Sequence, residues 1–125
     1  MEEQTPAESY RVRAAEALAA AKNALAHKHK ETAVSRAYYA CFYAIHSRLE
    51  ELGETAGSHK QVGILFRKHF IKTKRIDVKL SRMLRELSNW RMEADYAPTP
   101  ALNQALAANL VASAEEFVTT LLACK

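Results

Sequence analysis

Glycine and proline are scarce in this chain, with three of each in 125 residues. That scarcity excludes collagen-like and low-complexity sequences and most all-β folds, which need turn residues at short intervals. Cysteine is nearly missing too. Cys41 and Cys124 form no C-x-x-C pair and no disulfide framework, so a reducing, cytoplasmic setting is expected. The opening residues Met1-Glu2-Glu3-Gln4-Thr5-Pro6 are acidic and lack the basic and apolar regions of a signal peptide. The longest uncharged stretch, Tyr96 to Ala114, carries two prolines, two asparagines and a glutamine, and is not expected to span a membrane. The five histidines contain no H-x-x-x-H pair and neither cysteine completes a ligand set, so no metal and no cofactor are expected. A glycine-rich phosphate loop and a nucleophile elbow are both missing.

Alanine and leucine fill the space, with 23 and 13 copies. The chain is 49% hydrophobic and 26% charged, a balance suited to one folded domain over residues 1–125, with 1–5 as a loose tail. The net charge of +4 is unevenly spread. Residues 1–57 carry −1, residues 58–85 carry +8, and residues 86–125 carry −3.

Apolar residues recur at helical spacing throughout and nowhere alternate with period two. A first helix starts at Thr5-Pro6, carries Ala14, Leu18, Ala21 and Leu25, and fades at His27-Lys28-His29-Lys30. A second runs from Glu31-Thr32 to Leu52-Gly53, with the glycine as its C′ residue. Ser58-His59-Lys60-Gln61 has the form of a reciprocal capping box and opens a third helix through about Ile71. Asp77 caps a fourth, striped by Leu80, Leu84 and Leu87 and stopped by Pro98. Thr99-Pro100 reads as N-cap and first residue of a fifth, striped by Leu102, Leu106, Leu110, Phe117 and Leu121. The expected fold is all-α: an up-and-down four-helix bundle with an additional short helix, five helices in all.

Three constellations could carry chemistry. On the second helix, Val34, Tyr38, Cys41, Phe42, Ile45 and Leu49 form one stripe, and Arg36, Tyr39, Tyr43 and His46 form another. Four alanines at 33, 37, 40 and 44 admit close neighbours. Taken alone, this helix reads as core tyrosines with hydroxyls at a polar rim; the alternative is a cation-bearing groove or partner interface. At the end of the fourth helix, Arg91 sits at the margin of the apolar stripe, and a partly desolvated guanidinium needs partners. Asp95 can supply one, although it opposes the helix dipole there, and the pair serves either a clamp or a site. The third constellation is the basic stretch, with Lys60, Arg67, Lys68, Lys72, Arg75, Lys79 and Arg82 as an electrostatic docking surface for phosphate or an acidic partner. No aromatic alternates with these cations, so a stacking platform for a single strand is not expected. The tyrosine-rich groove candidates lie mostly elsewhere in sequence, so the basic segment is read as a docking surface and not as the active site.

The runs Ser35-Arg36-Ala37-Tyr38-Tyr39-Ala40, Ser58-His59-Lys60, Phe70-Ile71-Lys72-Thr73 and Arg91…Ala94-Asp95-Tyr96, in that order, resemble HEPN-domain proteins. The small stand-alone branch designated UPF0332 is the most similar, along nearly the whole chain. The resemblance implies a helical bundle, a homodimer, and a minimal nucleotidyltransferase as partner in a toxin–antitoxin-like pair. It also implies a ribonuclease motif, R-x(4–6)-H. Arg91 matches its arginine, but Tyr96, Ala97 and Pro98 stand where the histidine belongs. Neither Tyr96 nor Asp95 ordinarily titrates near neutrality, so catalysis is not expected. The resemblance implies instead a binding groove of Arg36, Tyr39, Tyr43, Arg91, Asp95 and Tyr96 for RNA or nucleotide phosphates. Tyr96 is the position at which a partner's modification is expected. A ribonuclease using Arg91, or a purely structural interaction module, is the alternative.

Overall fold

The computed structural model describes residues 3–125. Five α-helices follow one another: α1 (Pro6–Ala26), α2 (Lys30–Glu51), α3 (His59–Phe66), α4 (Lys79–Tyr96) and α5 (Gln104–Ala123). A single π-helical turn, Arg67–Ile71, extends α3 to the length expected, and no strand occurs among the described residues.

Helix ends are where sequence and backbone meet most directly. Thr5 caps α1 with a full capping box: its Oγ1 accepts from the Glu8 N–H at 3.1 Å, and Glu8 Oε2 accepts from the Thr5 N–H at 3.0 Å. Gly53, with φ of +72°, closes α2 as the C′ residue; the N–H groups of Gly53 and Glu54 reach the carbonyls of Glu50 and Leu49. Ser58 caps α3 by accepting from the Gln61 N–H. The expected reciprocal bond is displaced by one residue, because the Gln61 side chain accepts from Gly57 at 2.8 Å instead of Ser58. Asp77 accepts from the Lys79 N–H at 2.9 Å, one residue ahead of the helix cap at Val78.

The fifth helix starts later than the sequence pattern implies. Asn103, not Thr99, is its N-cap, with the side-chain oxygen accepting from Leu106 at 2.8 Å. The physical reason is Leu102. It is buried at 3% exposure ahead of the helix, so the segment 97–103 crosses the bundle end in an irregular path with that side chain as anchor.

α2 is the central element and touches α1, α3, α4 and α5. Ala33, Ala37, Ala40 and Ala44 are fully buried, and these small residues let α1 and α5 approach closely. Val34, Cys41, Ile45 and Leu49 fill the core beside Leu80, Leu87, Leu110 and Leu121. Phe66, Phe70 and Phe117 form an aromatic block, with centroids 6.1 Å and 5.4 Å apart, that fastens α3 and its π turn to α5. By length and composition α5 could cross a membrane, but its apolar face, from Ala107 to Leu121, lies in this core.

Candidate functional site

Arg91 is the most constrained cation near the aromatic face. It is only 9% exposed, on an α4 face that turns toward α2. Its Cζ stands 5.0 Å from the Tyr38 ring centre and 5.8 Å from that of Tyr39. Cation–π contact of this kind contributes roughly 1 kcal/mol, well short of a guanidinium's desolvation cost. Asp95 supplies a carboxylate at 3.5 Å, one turn later on the same helix. The Arg91 Nε is buried without a hydrogen-bond partner. Asp95 also accepts from the Ser35 hydroxyl at 3.4 Å, which ties the end of α4 to the start of α2.

On the other side of Tyr38 stands His59, the first residue of α3. The Tyr38 hydroxyl and His59 Nδ1 are 2.9 Å apart, and the imidazole stacks on Phe42 at 4.4 Å. Burial against these rings, reinforced by the positive charge of Arg91, lowers the His59 pKa below its ordinary 6.5. The imidazole is therefore neutral at pH 7. With its proton on Nε2 it accepts from Tyr38. Burial pushes the Tyr38 hydroxyl above its ordinary range, with Arg91 pulling the other way. Tyr38 thus links a cation to a neutral histidine.

Neither Tyr38 nor His59 belongs to the groove expected from sequence. Tyr38 is in the core stripe by spacing, and His59 lies 21 residues further along. The available signal was chemical: a buried tyrosine hydroxyl needs a partner.

Five of the six groove residues form a chain of contacts, from Arg36 and Tyr43 through Tyr39 to Arg91 and Asp95. Arg36 and Tyr43 line a shallow cavity of about 300 Å³ against α1, together with Arg13 and Glu16. There Arg36 covers the Tyr39 ring at 5.0 Å and Arg13 covers Tyr43 at 5.4 Å. Tyr39 stands between this cavity and Arg91 and touches both arginines. Tyr96, at the end of α4, is 70% exposed and contacts none of the cluster's rings among the described residues. Because α2 is central, these residues meet different neighbours: Arg36 and Tyr43 turn toward α1, and Tyr39 reaches Arg91 on α4.

The basic docking surface also divides. Lys79 is paired with Glu116 at 3.4 Å, and Arg75 donates from Nε to the Lys125 carbonyl at 3.1 Å, its guanidinium over Phe70. Lys68, Lys72 and Arg82 are exposed on the surface. Lys60 and Arg67, joined by Arg85, line a cavity of about 350 Å³ whose other walls include Tyr38, Phe42 and His59. Distant in sequence, part of the basic segment and the tyrosine helix thus adjoin in space. The short third helix folds across α2 and carries its cations to the aromatic face. Among the described residues no group of three His, Cys, Asp or Glu is placed to hold a metal ion.

Comparison with known proteins agrees with this architecture. Residues 7–124 match the family profile described as HEPN domain. Over 87 residues the chain is 36% identical to a Methanocaldococcus jannaschii protein named "Putative toxin MJ0142", covering 70% of this chain and 59% of that relative's length. Over 111 residues it is 29% identical to a "UPF0332 protein" of Thermotoga maritima, covering 89% of this chain and 84% of the relative. An all-α bundle built on a tyrosine-bearing central helix, matched from its first helix to its last, belongs to the HEPN domain family.

Proposed function

We propose that this protein is the toxin-type member of a two-component pair, beside a minimal nucleotidyltransferase. In this reading it holds RNA or nucleotide phosphates at Arg91 with little or no catalysis of its own. One observation carries it: Arg91 is buried, has an unpartnered Nε, and is positioned by two tyrosine rings and a single carboxylate. A guanidinium with unused donors matches a phosphate's oxygens in geometry and charge. The relative named as a toxin supports the class. The aromatic row of Tyr10, Tyr43 and His46, flanked by Arg13, offers a face for a second copy.

Labelled RNA in a gel-retardation assay tests the phosphate site. Arg91→Gln should weaken binding by roughly tenfold or more while the helical circular-dichroism spectrum is kept. Equal retardation by both proteins refutes the site. Light scattering at micromolar concentration should report a dimer, and co-expression with the nucleotidyltransferase should yield a stable complex. A strict monomer that never captures that partner refutes the pairing.

A second reading has its own observation. His59 has its pKa lowered, and in the tautomer whose Nδ1–H donates to the Tyr38 hydroxyl its Nε2 lone pair is free to supply from α3 the base that the sequence lacks after Arg91. In that case the protein is a ribonuclease, and His59→Gln abolishes RNA cleavage seen in the parent. Background cleavage that is the same in both samples removes this reading.

A further inference from the structure

The cavity of about 350 Å³ between α2, α3 and α4 has a composition unlike the rest of the surface. Lys60, Arg67 and Arg85 face it, and no carboxylate does. Among the described residues none of these three cations is ion-paired, although elsewhere Lys22, Lys79 and Arg91 each are. Ser81, Ser88 and Asn89 add neutral hydrogen-bonding groups along the α4 wall. Buried Ile45 and Val62 close the floor, and the Phe42–His59 stack forms an aromatic side.

Arg67 is exposed, and its side chain folds back along the helix. Its guanidinium lies over Gly63, one turn earlier, so closely that a Cβ on Gly63 would stand 3.3 Å from Nη1. Gly63 therefore provides room for the cation on the cavity side. The π turn starts at Arg67, and such widened turns recur at functional sites.

We infer that this cavity is a receptor for a terminal phosphate, a phosphomonoester dianion attached to a nucleotide. Three unpaired cations match a dianion better than the single charge of an internal phosphodiester. The aromatic side gives the attached base a surface on which to stack. The dianion comes either from a free mononucleotide or from the phosphorylated end of an RNA strand. The inference is independent of Arg91, which does not line this cavity.

Calorimetric titration of the full chain separates the possibilities. The probes are AMP, adenosine, and one pentaribonucleotide carrying a phosphate on its 5′ end, on its 3′ end or on neither. A phosphorylated probe should bind saturably, and its unphosphorylated counterpart should bind at least roughly tenfold more weakly, as loss of charge-assisted bonds requires. AMP binding as tightly as the oligonucleotides assigns the site to free nucleotide; an oligonucleotide bound tightly where AMP is not assigns it to strand ends. Arg67→Met and Arg85→Met should each weaken binding roughly tenfold. Gly63→Ala should weaken it too while thermal stability holds or rises, because alanine favours the helix but crowds the guanidinium. No saturable binding up to millimolar ligand, equal affinity with and without the phosphate, or unchanged affinity in the Arg67 and Arg85 variants overturns the inference. Loss of this binding with Arg91-dependent RNA retardation intact refutes the cavity alone. The opposite pattern refutes only the Arg91 site.

Discussion

Arg48 is the buried cation with the clearest structural duty. It is 7% exposed, and its Nη1 donates to the carbonyls of Leu121 at 2.6 Å and Cys124 at 2.5 Å. Leu121 lies in the last turn of α5 and Cys124 just beyond it, where carbonyls lack the ordinary helical partner. Its guanidinium also covers the Phe70 ring at 5.2 Å, and Glu51 meets its outer edge at 3.6 Å. Arg48→Met keeps the stem's packing but strands two carbonyls. The expected loss is about 2–4 kcal/mol, read from the midpoint of a urea titration. Arg91 shares the buried, unpartnered Nε but differs in its other donors: Arg48 spends Nη1 on two carbonyls, whereas among the described residues Arg91 meets only the Asp95 carboxylate. The sequence placed Arg91 correctly at the apolar margin but offered no sign of Arg48, because its partners are main-chain atoms 73 and 76 residues away.

Helices as elements were legible where local chemistry sets them. Thr5, Gly53, Ser58 and Asp77 act at the ends where their side chains or φ values are useful. The start of α5 was not, since Thr99-Pro100 and Asn103-Gln104 are both sound openings and only the burial of Leu102 decides between them. Asn103→Ala should therefore cost roughly 1 kcal/mol of stability, and Thr99→Ala should change it little. Chemical denaturation of the two variants side by side checks this; the reverse order would return the helix start to Thr99. The π turn had no sequence signal, because Arg67 to Ile71 reads as ordinary helix. It lies beside Phe66 and Phe70, which both reach the core block around Phe117.

At the scale of the whole molecule, folding brings the basic segment to the aromatic helix, a juxtaposition that charge arithmetic along the chain cannot reveal. Tyr38, His59 and Arg91 come from three helices, and no spacing rule connects them. The same packing makes stability depend on pH. Burial lowers the pKa of His46 and of His59 below 6.5, so the unfolded chain binds more protons just below that value. Stability then rises with pH through this window and is lost as pH falls below about 6.5. Glu54 adds to the acid side: its hydrogen bond with His69 at 2.6 Å lowers its pKa, giving stability present above the ordinary carboxylate value and lost as pH falls through the lowered one. Thermal melts should show a level melting temperature between pH 7 and pH 8 and a progressive fall below pH 6.5. A flat profile down to pH 5 would show that these groups do not titrate as their surroundings dictate.

Ser47 and Arg48 are neighbours in sequence, yet they hold opposite ends of the chain. The Ser47 hydroxyl donates to the Ala7 carbonyl at 2.7 Å, while Arg48 grips Leu121 and Cys124. One turn of α2 thus gathers residue 7 and residues 121–124 at the same pole of the bundle. Ser35, which meets Asp95, lies twelve residues earlier, roughly 18 Å up the axis. Whatever precedes residue 7 or follows residue 124 leaves the bundle at the pole away from Asp95. An affinity handle or a fused domain at either end leaves the Arg91 face open, and a peptide bridge joining the two ends would have only a short gap to cross.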